Sequence, residues 1–303
     1  MTRLLYFCSL LFLTNASLCA QNLAQQLGYP ADAKLLILHA DDLGVSHSEN
    51  HASFTALEKG PVNSASIMVP CPWFMEVVDW AQNHPDADLG LHLTLTAEWK
   101  HIKWGPVASS DKVPGLLNEQ GYFYDNVADV IAHAKEQEVE LELRAQIEKS
   151  LKAGLKPTHL DSHMGSLFNP KFFGIYLKLG QEYNIPVMIT NQALGLLPEG
   201  EELPKNSIIV DQVYVASPDD FKMGMEQYYS TVIKSLTPGV HVILMHLAYD
   251  NQEMQAVAID HPDYGAGWRQ QDFDFFTSKR LQDLLQQENI KMVTWRELAG
   301  LMK

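Results

Sequence analysis

The 303-residue chain is 46% hydrophobic, 19% charged and carries a formal charge of −15. That composition supports one large core and excludes extended disorder. It contains no Lys/Arg cluster, and a nucleic-acid footprint needs one.

Arg3 precedes the apolar run Leu4 to Leu13, and small residues around Ala16 to Ala20 offer cleavage sites. Residues 1–20 read as a secretory signal peptide, because the apolar run is too short to span a bilayer. A periplasmic or secreted protein is expected, with no integral membrane segment after signal removal. Cys8 and Cys19 fall in that segment, which leaves Cys71 alone in the mature chain. No intramolecular disulfide or Cys-rich zinc site is therefore available, and Cys71 reads as a buried small hydrophobe.

Strands are predicted at Lys34–Ala40, Ser64–Val69, Asp88–Leu95, Thr158–Ser162, Ile185–Ile189, Ser207–Asp211, His241–Leu247 and Lys291–Thr294. Helices are predicted near His47–Lys59, Pro72–Asn83, Glu138–Ala153, Pro170–Tyr183, Pro218–Ser235, Phe273–Glu288 and Trp295–Met302. Alternating strands and helices imply parallel strands with helical crossovers. The expected fold is α/β: a single-domain, TIM-like (β/α) barrel over residues 21–303, distorted or incompletely closed. A doubly wound open sheet is the alternative, and no Gly-rich phosphate loop supports its nucleotide-binding forms.

Residues 97–136 show no clear strand–helix rhythm and read as a long loop insertion rich in aromatics, including Trp99, Trp104, Tyr122, Phe123 and Tyr124. Such loops are often lids, and aromatic faces suit sugar rings. Packing of the loop onto the barrel is the competing reading for each aromatic. A second irregular stretch is expected from Asn251 to Gln271.

Asp41 and Asp42 follow the apolar run Leu35-Leu36-Ile37-Leu38. In parallel α/β proteins the carboxyl ends of strands carry the chemistry. Strand alternation would point neighbouring carboxylates in opposite directions, one to a metal and one to a reacting water. His92 sits in the apolar strand Leu89-Gly90-Leu91-His92-Leu93. His159, Asp161 and His163 recur with period two, so one strand face would present all three. Asp161 is placed to hold the far nitrogen of a coordinating His. His246 ends Val242-Ile243-Leu244-Met245 and is a candidate general acid. His39 reads as a residue behind the site, and His241, at the other end of its strand, as structural. One Asp with two His gives three ligands with open positions, the arrangement of a hydrolytic metal site. Neither a Gly-x-Ser-x-Gly elbow nor a His-Glu-x-x-His helix occurs. Arg144, Trp104, Arg269 and Tyr264 are candidate sugar contacts.

The segments His39-Ala40-Asp41-Asp42-Leu43-Gly44, Gly90-Leu91-His92-Leu93-Thr94-Leu95-Thr96, Pro157-Thr158-His159-Leu160-Asp161-Ser162-His163 and Met245-His246 resemble the YdjC-like carbohydrate deacetylases. These include the chitooligosaccharide deacetylases and are distant relatives of NodB-type polysaccharide deacetylases. The resemblance implies a (β/α)-barrel-like fold and deacetylation of N-acetylated oligosaccharides. It implies one divalent ion, Mg²⁺ or Zn²⁺, on Asp42, His92 and His163, with Asp41 as general base and His246 as general acid. His39 and Leu43 stand where the family usually has Asn and Phe, and Leu247 where Pro is common. An O-acetyl ester hydrolase on the same site, or a non-catalytic glycan-binding protein, are the alternatives.

Overall fold

A computed structural model describes residues 22–302 except 198, 199, 201, 205 and 206. The signal segment expected at residues 1–20 lies outside the described residues. The strands are β1 (Lys34–Leu43), β2 (Ser64–Ile67), β3 (Leu89–Leu93), β4 (Leu160–Ser162), β5 (Ile189–Thr190), β6 (Ile209–Val210), β7 (Gln212–Val215), β8 (Gly239–Met245) and β9 (Lys291–Met292). The main sheet runs in the order β4-β3-β2-β1-β8-β7, with β9 also on β1, and every pairing is parallel. β5 pairs with β6, and the chain just before β5 meets β4 through a single bridge between Val187 and Leu160. β6 and β7 are separated by one residue, Asp211, so one stretch of chain faces β5 with its first half and β8 with its second. The sheet thus curls into a distorted parallel barrel whose thinnest wall lies at β5 and β6.

Period two sorts the side chains. Leu35 and Ile37 join Val240, Val242, Val210 and Trp295 in one apolar cluster that fills the base of the barrel. Leu36, Leu38, Ala40, Leu91, Ile243 and Met245 belong to the larger cluster under the helices. Continuing the inward parity upward gives His39 and Asp41 on β1, Ser64 and Ser66 on β2, Gly90 and His92 on β3, and His159 and Asp161 before and on β4. The barrel interior is therefore apolar at its base and polar at its rim.

Several expected elements differ. The strand expected at Ile185–Ile189 is reduced to Ile189–Thr190, and the one expected at Ser207–Asp211 extends as β7 through Val215. The helix expected over Pro218–Ser235 breaks at Gly224, whose φ of 105° favours glycine. The expected Phe273–Glu288 helix is two, Ala266–Phe276 and Lys279–Gln287, divided where Ser278 caps the second. So the second irregular stretch is partly helical, with Gln252–Val257 as a further helix.

The long insertion holds two short 3₁₀ turns and a helix, Val127–His133. Trp104, Val113, Leu116, Phe123 and Val130 are buried in it. Glu142 fastens it, accepting the backbone N–H groups of Val107 and Ala108 at 3.0 and 2.8 Å. Packing is the fate of most of its aromatics. Among the described residues, no helix is long and apolar enough to cross a membrane.

Candidate active site

The rim of the barrel collects Asp41, Asp42, His92, His163 and His246 around one cavity of about 820 Å³. Both aspartates converge there instead of pointing apart. Asp42 has outward parity, but its φ of 65° lies in the left-handed region, which Asp tolerates better than most residues. Gly44 completes the turn at φ 105°, where a Cβ would meet Met68 O at 3.1 Å. As a result His246 Nε2 lies 4.0 Å from Asp41 Oδ2 and 3.8 Å from Asp42 Oδ2.

Asp42 Oδ1 is buried and has no hydrogen-bond partner among the described residues. It lies 3.5 Å from His92 Nε2 and 3.3 Å from His163 Nδ1. A buried carboxylate oxygen without a partner is costly and calls for an explanation. The opposite nitrogen of each imidazole is held by an acid: His92 Nδ1 lies 2.8 Å from Asp161 Oδ1 and 3.0 Å from Asp41 Oδ1, and His163 Nε2 lies 3.0 Å from Glu98 Oε2. Carboxylates on the far nitrogens turn His92 Nε2 and His163 Nδ1 toward Asp42, which is how metal-binding imidazoles are oriented. This donor set fits a divalent ion, and the three residues form one of the buried groups whose ligand atoms are close enough to share one.

The charges are mutually arranged. Burial opposes ionisation of Asp42, but the neighbouring His163, His246 and Arg269 outweigh it and hold the carboxyl well below its usual range. Burial also opposes a charge on His163, yet Glu98 and Asp42 push it up to about 9. His92 is raised in the same sense, with burial overcome by Asp41 and Asp161. His246 goes the other way. Burial brings it down to about 4, and the attraction of Asp42 and Asp41 is too weak to reverse it.

The remaining candidates divide. His39 bridges Asp161 Oδ2 at 3.0 Å, Ser64 Oγ at 2.9 Å and Ser66 Oγ at 3.1 Å, so it supports the carboxylate behind His92. His159 lies deeper, stacked on Trp295 with ring centroids 5.0 Å apart, and touches none of the three ligands. The period-two row therefore does not act as one face: Asp161 backs the site, His159 packs the base and His163 opens a 3₁₀ turn. Arg269 lines the cavity but serves Asp42, donating from Nη2 to Oδ2 at 2.9 Å while its other nitrogen pairs with Glu49. Tyr264 lines the cavity with its ring 5.4 Å from that of His246.

Arg144 is a correction. It stands on an outer helix, paired with Glu140 and Glu182, and does not line the cavity. Trp104 is another, since it is buried and its indole donates to Thr96 O at 2.8 Å. Trp99 is the aromatic of that loop that lines the cavity.

Four supporting residues escaped the sequence reading: Glu98, Glu49, Ser66 and Asp272. Glu98 follows the His92 strand directly, so an acid at a strand end was the available signal. Glu49 sits three residues after the N-cap Ser46 and reads as a capping partner. Ser66 Oγ donates to Asp41 Oδ1 at 2.7 Å. Asp272 accepts the His246 backbone N–H at 3.1 Å and Tyr229 OH at 2.8 Å, and burial pushes it up to about 7.

Fold and site together define a parallel (β/α)-barrel protein with an Asp–His–His centre at the carboxyl ends of its strands. Residues 35–287 match the family described as YdjC-like protein, and the chain belongs to that family. A carbohydrate deacetylase of Thermus thermophilus is 30% identical over 285 residues, covering 91% of this chain and 97% of the relative. A carbohydrate deacetylase of Brevibacillus brevis is 30% identical over 264 residues, covering 87% and 99%. Among solved structures, an Enterococcus faecalis V583 protein provisionally named for cellobiose-phosphate cleavage matches with a TM-score of 0.74 at 24% identity, covering 88% of this chain and 99% of its own. That likeness bears on the fold.

Proposed function

We propose that the protein is a divalent-metal-dependent carbohydrate deacetylase that removes acetyl groups from N-acetylated oligosaccharides and releases acetate. The observation that carries this reading is the unpartnered, buried Asp42 Oδ1 facing His92 Nε2 and His163 Nδ1, with Asp41 and His246 beside it. The named activity of the two 30% identical relatives agrees with it.

Asp42, His92 and His163 would hold a divalent ion, Zn²⁺ or Mg²⁺, which would polarise the acetyl carbonyl and acidify water. Asp41 takes the proton of the attacking water, held in place by Ser66 Oγ and His92 Nδ1. His246 delivers a proton to the departing nitrogen as the carbon–nitrogen bond breaks. With its pKa near 4 it begins neutral, so the proton reaches it from the Asp41 side of the reacting centre, 4.0 Å away. Glu98, Asp161 and His39 keep the two ligand imidazoles in place.

Acetate release from acetylated chitooligosaccharides, before and after chelation, tests the reading. Asp41→Asn is expected to lower turnover by at least about a hundredfold while metal content stays near wild type. Wild-type turnover by that variant would refute the assignment of the base. Elemental analysis of the purified protein identifies the ion.

The low pKa of His246 favours one second reading, O-acetyl ester hydrolysis, because a leaving alcohol needs less help from an acid. His246→Ala separates the two: under the N-acetyl reading it cripples amide turnover and spares esters. We also place the protein in the periplasm or outside the cell, on the signal read in residues 1–20. N-terminal sequencing of the protein recovered from those compartments tests that placement.

A further inference from the structure

Beside the reactive cavity lies a second one of about 450 Å³. Phe168, Met188, Ile189, Ala193, Leu196 and Val213 supply its apolar lining. The two cavities share His92, Ser162, Gly165, Val215 and Leu244, so they meet at a metal-ligand candidate. The space exists because of the fold: β5 and β6 are two residues long, and one bridge, from Val187 just before β5, joins that wall to β4.

We propose that this second cavity receives the acyl group of the substrate and accepts linear acyl chains longer than acetyl. The inference rests on the deacetylase reading and extends it to the acyl side. On the deacetylase reading, three directions at the reacting carbon would already have polar partners. The carbonyl oxygen would face an ion held by Asp42, His92 and His163, the attacking water would face Asp41, and the nitrogen would face His246. The fourth substituent is the acyl chain, and of the apolar residues lining the reactive cavity, Val215 and Leu244 also line the second cavity. Gly165 adds no side chain to block that passage. The volume lies in the range of cavities that enclose drug-sized ligands, far above the need of one methyl group. Other polar groups of the larger cavity, Asp125, Asn126, His261 and Asp263, are left for the sugar. The bond changes are those of deacetylation: water oxygen joins the acyl carbon, the carbon–nitrogen bond breaks, and the amine leaves with a proton. The acid released is then longer than acetate.

The test is a series of chitooligosaccharides of one length carrying N-acetyl, N-butyryl or N-hexanoyl groups, read by amine release with metal-loaded protein. The expected kcat/KM for N-butyryl equals or exceeds that for N-acetyl, with a ceiling of about fourfold per methylene buried. Ala193→Phe, which fills the cavity, is expected to lower the butyryl-to-acetyl ratio by at least about tenfold. Calorimetry on wild-type protein gives a readout that needs no variant, with butyrate binding more tightly than acetate. The inference is overturned if acetyl groups are released while butyryl groups leave more than about tenfold more slowly and butyrate binds no more tightly. Failure of every acyl substrate would instead remove the deacetylase reading, and this inference with it.

Discussion

Arg269 shows how much of this site depends on groups that are neither ligand nor base. Its guanidinium is buried between Asp42 and Glu49, above the Trp99 ring. Removing one partner of a buried pair leaves an uncompensated charge. Glu49, pushed up to about 8 by burial, can take a proton, so the stranded charge is that of Asp42. Arg269→Met is therefore expected to cost about 3 kcal/mol, the lower end for such pairs, in denaturant unfolding of the metal-free protein. A pH dependence belongs to the same scale. An imidazole must be neutral to coordinate, and His163 without the ion holds its proton up to about 9. Metal affinity should thus rise as pH rises toward that value, with proton release on binding. Titration calorimetry in buffers of different ionisation enthalpy measures both, and a flat affinity between neutrality and that pH would exclude His163 as a ligand.

Elements were legible where one period dominates. The helix His47–Lys59 was placed to the residue, and the apolar runs of β1, β3 and β8 carried their positions plainly. β6 fell inside the expected Ser207–Asp211 and β5 only at the end of the expected Ile185–Ile189, because two-residue strands carry little pattern and owe their bounds to neighbours. Strand alternation predicts that Asp41 and Asp42 point apart and that His159, Asp161 and His163 share a face; the left-handed φ of Asp42 brings the aspartates together, and His163 opens a 3₁₀ turn instead. Gly90 shows parity constraining an element from inside. A Cβ there would stand 2.4 Å from the His159 ring, which is held against Trp295. Gly90→Ala should destabilise by roughly 1–3 kcal/mol through overpacking. Reversible unfolding measures it, and His159→Ala in the same chain should recover part of the loss.

At the scale of the whole molecule, the ion would be a linkage between β1, β3 and β4. Its ligands come from strand ends that are far apart in sequence, so binding it should stabilise the fold as a unit. Metal at about a hundred times its Kd is expected to add roughly 2.7 kcal/mol, seen as a rise in melting temperature that chelation reverses. A melting temperature indifferent to Zn²⁺ and Mg²⁺ would count against a shared centre.

The sequence by itself determined the parallel barrel and the carboxyl-end placement of Asp41, Asp42, His92 and His246, because apolar runs and their ends are local properties. It also carried the family resemblance. Tertiary structure decided the rest. Glu98 and Arg269 meet the site from loop and helix, His159 falls to packing, Arg144 and Trp104 turn away, and the thin wall at β5 and β6 opens a second cavity. These outcomes depend on which distant segments come within a few ångströms, and no local pattern encodes that.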